Sequence, residues 1–593
     1  MIGPSTGWGR NMAVANSEQG SEALHALRAA LDVQRSKVEP YARPSEVIAY
    51  EVLRALDDLF LRDLMEPSRK LTAEEDHYRK LSTWGANKAL RSVLPPVLQA
   101  QPFKDFPSSQ DNQAKCDDLI FECAMLEIGE RYEAWLREGI VHGELRHHSR
   151  PSDGGNIDVL ILNDHAPSYF DEEIGWKGLQ WASSIATWNN RGHERRLEQR
   201  HRKMARQMER CVELLGGWRV SCSTTKDIDD YFAEWARLYL KRMQSQDLVG
   251  PDDIIGGRPF SRYVSVLQAL SARSQKHIAF AGILRARHRS ADLRNLLTTY
   301  ANRTYFIDAV SAYMDADTTE ISEILDSLVL SGENVDLHTS RNEAAWAPVV
   351  QASSETFILP IYGLDINPFQ FLMTDLRARY ESDWFRIANN REARWVGELE
   401  ELYAGPRWQR NTSNLKLRLD GKVATDIDFA TLDGKTDELA IFQLKWQQPV
   451  SLDNRVRRNT GQNLVNESNR WIDIVLSWLG QNGVDELVRR LGFQSPRSPT
   501  VHLFVLGRYH AHISGFDNHN QQAVWCSWAH FKRMRTEGPR RSVSQLAADL
   551  RSNIQQMRSS KKGESSMLLV GELPVLINPT SIPPAPIAKP VLS

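Results

Sequence analysis

The sequence predicts a multidomain protein: a mostly α-helical N-terminal region followed by an α/β core with a mixed central sheet. Three observations lead there. The chain has 593 residues, several times what one core holds at about 150 residues per domain. Its first two thirds place apolar residues three and four apart, the helical period. Its last third interleaves helical segments with short β-rich runs, the order that builds a sheet covered by helices.

Taken in order, residues 1–20 are small and polar and are expected to form a disordered lead-in. A helical domain is expected over 21–215. It contains ALHALRAALDVQ, EVIAYEVLRALDDLFLRDLM and CDDLIFECAMLEIGERYEAWLREG, a break at RPSDGGN, the strand candidate IDVLILND and a charged helix over about 191–215. A mixed, mostly helical domain is expected over 216–385, with ETFILPIYGLD as a strand and turn and NPFQFLMTDLRARYESDWFRIAN as a single helix. The α/β core is placed at 386–550. Residues 551–593 are expected to be an extension ending in a Pro-rich tail.

Bulk composition excludes little. Apolar residues make up 41% and charged residues 25%, and the formal net charge is −2. Any nucleic-acid surface must therefore be a local patch. Five cysteines without a C-x-x-C pair argue against a structural zinc site or a disulfide framework. No apolar run has the roughly 18 residues a membrane span needs, and the N-terminus lacks the apolar stretch of a secretory signal. The expected location is cytoplasmic. There is no Walker A, G-x-G-x-x-G or G-x-S-x-G motif, so ATPase, dinucleotide and serine-hydrolase readings have no support.

The chemistry concentrates in two runs of the core. Side chains alternate faces along a strand. In VATDIDFAT, Val423, Thr425, Ile427 and Phe429 share one face, and Asp426 and Asp428 share the other. In ELAIFQLKW, Ala440, Phe442, Leu444 and Trp446 oppose Gln443 and Lys445. Between the runs lies DGKTDE, whose Asp-Gly signals a turn. An even loop keeps both apolar sets together and pairs Leu432 with Leu439, which sets Asp428 opposite Gln443 and Asp426 opposite Lys445. A carboxylate, a second oxygen ligand and a lysine on one face suit phosphodiester hydrolysis. The oxygens can hold Mg²⁺, and the lysine can orient water or offset charge developing on phosphate. The plainer reading makes these four residues the polar half of an ordinary amphipathic hairpin.

The pattern T-D-I-D-F-A, a turn, then I-F-Q-L-K-W resembles the PD-(D/E)XK superfamily of restriction-endonuclease-like nucleases, over about a quarter of the chain. The resemblance implies an α/β restriction-endonuclease-like core and a metal-dependent endonuclease, with Mg²⁺ or Mn²⁺ as cofactor. Asp428 matches the motif aspartate, and Gln443-Leu444-Lys445 the E-x-K element in its Q-x-K variant. By analogy the metal is held by Asp428, Gln443 and the Leu444 backbone carbonyl. A glutamate from the preceding helix is implied too, with Glu401 favoured over Glu398. The helix after the lysine offers Gln462 and Asn463, and the basic run Arg455, Arg457, Arg458 is expected to touch nucleic acid. Fold-level analogy suggests DNA as substrate and a bacterial restriction or anti-phage defence role, with a second copy of the chain or a defence-system protein as partner. Glutamine for glutamate removes a negative charge, so the alternative is a catalytically inactive nuclease fold that binds nucleic acid or assembles.

Other features have plainer readings. The arginine-rich 191–210 segment is expected to be a solvated helix rather than a phosphate track. His142, His147 and His148 are expected in an exposed loop, and His510 and His512 at a surface or sheet edge.

Overall fold

The computed structural model describes residues 8–579, apart from segments 66–71, 95–104, 150–155, 165–191, 244–248, 340–346, 448–453, 514–517 and 560–564 and positions 44, 140, 194 and 367. The architecture is multidomain, with helices dominating the N-terminal region and a mixed sheet in the C-terminal third.

Helices Trp8–Val38, Glu46–Met65, Ala73–Val93 and Gln110–Arg137 pack through Leu27, Leu53, Leu90, Leu119 and Ile120 into one apolar core. The last two approach so closely at Gly85 that a Cβ there would sit 2.1 Å from the Ile120 carbonyl oxygen, which requires glycine. The first helix starts at Trp8, inside the segment expected to be a disordered lead-in.

Two further expectations are corrected in this region. The histidine-bearing segment is a strand, Val141–Ser149, antiparallel to Asn156–Asp164; His142, His147 and His148 are exposed as expected, but on a strand rather than in a loop. The stretch read as a C-terminal extension is also structured: Ser566–Val570 and Leu573–Pro579 complete this same four-stranded sheet, with Leu573–Pro579 running parallel to Asn156–Asp164. Leu568, Val570, Val575 and Ile577 thereby enter the N-terminal core. The Pro-rich tail from 580 onward lies outside the described residues.

The middle region surrounds a small sheet in the order Thr299–Asn302, Thr356–Leu359, Val349–Ser353, Val329–Leu330. The run read as one helix leading into the core is three helices, Pro368–Arg379, Glu381–Arg386 and Ala388–Leu402. The charged helix over 195–210 buries Leu197, Met204 and Met208 and leaves Arg202, Lys203 and Arg210 exposed, as an amphipathic packed helix does.

The C-terminal core holds a five-stranded mixed sheet in the order Trp408–Asn411, Phe429–Asp433, Glu438–Lys445, Thr500–Gly507, Ala523–Ser527. The first three are antiparallel and the last two join in parallel. The long helix Asn454–Asn482 covers one face, with Trp471, Ile472, Val475 and Trp478 buried. Helices Ala388–Leu402, Trp528–Glu537 and Val543–Ser559 supply the opposite layer through Trp395, Leu399, Phe531 and Leu550. Central strands buried on both faces read as near-continuous apolar runs, as AIFQL and HLFVL do.

Candidate active site

Leu432 pairs with Leu439, the register expected from an even turn. The ladder extends to Asp433 opposite Glu438, so the turn is four residues long. The run VATDIDFAT, however, is not one strand. It breaks at Asp428: Phe429–Asp433 belongs to the five-stranded sheet, while Lys422–Ile427 leaves it to pair with Leu415–Leu419 in a separate two-stranded ribbon. Asp426 therefore sits opposite Lys416, not opposite Lys445.

The break places Asp428 where a carboxylate can reach across to the end of its neighbour. Its backbone N–H donates to the Phe442 carbonyl at 3.2 Å. Its Oδ2 accepts from Gln443 Nε2 and from the Leu444 backbone N–H, both at 2.6 Å. Asp428 is 6% exposed and Gln443 8%. Burial pushes the Asp428 carboxyl up to about 7. The neighbouring charges of Asp426 and Glu392 push the same way, while the Leu444 N–H and the Lys445 charge oppose them. Lys445, two residues along from Gln443, donates to Glu467 Oε2 at 3.0 Å. Gln443 and Lys445 thus share a strand face and both act on Asp428.

The strand end is fixed from behind. The Arg508 backbone N–H donates to the Lys445 carbonyl at 3.0 Å. A Cβ on Gly507, the strand partner of Lys445, would fall 1.9 Å from the His510 carbonyl oxygen, so the turn closes only over glycine. The Arg508 side chain is fully buried and lies against Trp395, Trp446 and Trp528.

Arg508 also decides the role of the helix glutamates. Glu398 accepts from Arg508 at 2.9 Å and from Lys532 at 3.1 Å. Burial raises its pKa, but the charges and hydrogen bonds of these two cations outweigh that and leave it below the ordinary carboxylate value. Glu398 is thus committed to an ionic network behind the strand end. Glu401 is exposed near the helix C-terminus. The carboxylate of this helix that acts on Asp428 is Glu392, an exposed residue near its N-terminal end. Sequence periodicity could not separate these glutamates, because the cations that capture Glu398 come from other strands and helices.

Other expected residues fall as follows. Gln462 and Asn463 are exposed on the long helix, and Glu467 of that helix is the one that reaches Lys445. Arg455, Arg457 and Arg458 fall within its first turns, and their side chains lie outside the described residues. His510 and His512 are buried, not at a surface, with His512 against His519 and the Trp525 carbonyl.

Among the described residues, no group of three or more His, Cys, Asp or Glu is gathered tightly enough to hold a metal ion alone. The groups at the strand break are one buried carboxylate, two further carboxylates acting on it, the Gln443 amide and the Leu444 carbonyl. That set fits a hard cation which takes one or two carboxylates and keeps much of its water, as Mg²⁺ does. It does not fit a closed zinc-type cage.

Neither a protein-family model, nor a curated protein, nor a solved structure matches the chain.

Proposed function

We propose that the C-terminal core is a metal-dependent nuclease, most simply an Mg²⁺-dependent DNA endonuclease of restriction or anti-phage type, with the N-terminal and middle regions in recognition or control. One observation carries the reading. Asp428, Gln443 and Lys445 meet at a strand break, and the aspartate is surrounded by like charge. A buried carboxylate next to two others is costly unless a cation or proton joins it. Asp428, the Gln443 carbonyl and the Leu444 carbonyl would hold the metal, with Asp426 and Glu392 adding negative charge. When bound, the metal would supply Lewis-acid polarisation of a phosphate and a water of lowered pKa. The chain's own residues do the rest. Lys445 holds a positive charge where negative charge accumulates on phosphorus-bound oxygens. Gln443 fixes the Asp428 carboxylate by its hydrogen bond. Arg508 and Gly507 lock the strand end that carries the lysine.

The inactive nuclease-fold alternative draws on one observation: Gln443 spends its amide on Asp428 and adds no charge to the site.

The test is a cleavage assay of full-length protein on plasmid, linear and single-stranded DNA and on RNA, with Mg²⁺ or Mn²⁺ and an EDTA control. Asp428→Ala is expected to abolish cleavage, and Lys445→Ala to slow it about 10²–10³-fold, the usual loss for one electrostatic group. Wild type that cuts none of these substrates, or a Lys445→Ala variant as fast as wild type, would replace the nuclease reading with the binding-scaffold one.

A further inference from the structure

The two-stranded ribbon that leaves the sheet at Asp428 has a role of its own. Its strands Leu415–Leu419 and Lys422–Ile427 are joined by the two-residue turn Asp420-Gly421, with φ of 50° and 78°. Two positive φ values in a two-residue turn match the twist of a tight hairpin. One face is committed to the core. Leu417 is fully buried, and Trp471 and Trp478 of the long helix donate their indole N–H groups to the carbonyls of Asp426 at 2.7 Å and Arg418 at 3.2 Å. The other face carries Lys416, Arg418, Val423 and Asp426, since Lys416 pairs with Asp426 and Arg418 with Val423. Lys416 and Arg418 are exposed, and Val423 is 50% exposed. Lys422 is exposed at the tip.

A cation-bearing face with an exposed apolar residue, held rigid by two tryptophans, is an unusual thing to leave open to water. Its position explains it. The strand that forms it runs directly into Asp428, and Asp426 at its inner end already acts on Asp428. Along its flank lies an open cavity of about 440 Å³, whose lining includes Leu419 of the ribbon and Asn466, Arg470 and Ser477 of the long helix.

We propose that this outer face is the docking surface for double-stranded DNA, and that it delivers the duplex backbone to the site at Asp428. The orientation rests on the nuclease reading above. The occupant follows from shape and charge. A two-stranded ribbon fits the B-form major groove, which is about 12 Å wide, whereas the A-form groove is too deep and narrow for side chains to read. Lys416 and Lys422 match phosphates. Arg418 and Val423, side by side across the strands, have the chemistry of guanine-edge donors and thymine-methyl contacts. Arg470 and Asn466 offer further donors to the same backbone.

The experiment measures binding of full-length protein to a 30-base-pair DNA duplex, a duplex RNA of the same sequence and the single DNA strand, by anisotropy in EDTA over a salt series. The Lys416→Glu/Arg418→Glu variant is compared with Lys435→Glu/Lys422→Ala and with Lys435→Glu alone. Lys435 lies in the turn at the opposite end of the strand pair from Asp428. The double reversal should weaken duplex DNA binding at least about tenfold and lower the salt slope by about 2, as expected for two lost phosphate-type contacts. Lys435→Glu alone should bind as wild type does, and adding Lys422→Ala should weaken binding by a smaller factor. All variants should melt with wild type, because these side chains are exposed. Val423→Ala should change the ranking of duplexes that differ at thymine more than it changes mean affinity. Wild type that does not bind duplex DNA, binds RNA duplex equally well, or loses nothing on the double reversal would overturn the docking surface. Metal-dependent cleavage that still disappears in Asp428→Ala would in that case leave the nuclease reading standing. Ribbon-dependent duplex binding without any cleavage would retire the catalytic reading and keep the docking surface.

Discussion

Two buried aspartates, one in the helical region and one in the core, share a raised pKa and little else. Asp57 is fully buried in helix Glu46–Met65. Its carboxylate accepts from the backbone N–H groups of Ile361 and Tyr362 at 2.8–3.1 Å and from the Thr298 hydroxyl at 2.6 Å. Burial pushes it up to about 7, its donors pull it down, and the only carboxylate that adds to the rise, Asp58, ranks last among the causes. Asp428 reaches a similar value with two donors and two carboxylates pushing it up. Asp57 is a staple whose donors are all supplied by the fold, tying the first helices to the middle region. Asp428 is a group whose surroundings add negative charge, as a cation site does. A perturbed pKa alone therefore does not mark a functional residue; the sign of the neighbours separates the two cases.

The comparison breaks most sharply under alanine. Asp57→Ala leaves two backbone N–H groups and a hydroxyl buried without their acceptor, at about 1–3 kcal/mol each. It should lower the melting temperature by many degrees, and the fraction that folds should still cleave. Asp428→Ala should do the reverse, with cleavage gone and the melting temperature within a few degrees of wild type. Equal stability losses in the two variants would erase the distinction. Calorimetry beside the cleavage assay decides it.

A smaller effect is expected from the metal. Mg²⁺ at millimolar concentration should raise the melting temperature of wild type by a few degrees, because a ligand bound only by the folded state stabilises it. The shift should vanish in Asp428→Ala and persist in Asp57→Asn. Gln443→Glu should enlarge it by adding a charged ligand, while Glu398→Gln should leave its size unchanged, since Glu398 is held by Arg508 and Lys532.

The smallest effect is in pH dependence without metal. The folded value of Asp428, about 7, lies above its ordinary value of 3.8. Folding therefore favours the protonated form, and stability falls as pH rises from about 4 to about 7, then levels off. Asp428→Asn keeps one oxygen for the Gln443 and Leu444 donors and has no charge to bury. Its melting temperature should gain on wild type across that window and hold the gain above it. A gap that does not vary with pH would show that Asp428 is not the titrating group.

Much of the core was legible because strand parity is local. The alternation of Asp428, Gln443 and Lys445 with apolar neighbours, together with an even turn, is enough to put the three on one side and to pair Leu432 with Leu439. The helices of the N-terminal half were equally readable from their 3.6-residue period. What escaped depends on partners far along the chain. The strand break at Asp428 is set by Leu415–Leu419 capturing Lys422–Ile427 into a ribbon that packs on Trp471 and Trp478. Nothing inside VATDIDFAT announces it. Glu398 was drawn away from the site by Arg508, 110 residues later, and Lys532, 134 residues later, which left Glu392 to act on Asp428. The strands after 565 join Asn156–Asp164 across most of the chain.

By itself, then, the sequence determined the faces of its strands and helices and the short-range register of one hairpin, since these follow from each residue and its near neighbours. Only the tertiary structure decided which carboxylates share the site, where the sheet opens into a ribbon, and that the end of the chain closes the N-terminal sheet. Ion pairs and parallel strand pairings are bought with loop closure over long separations, and their choice among competing partners is made by the whole packed molecule.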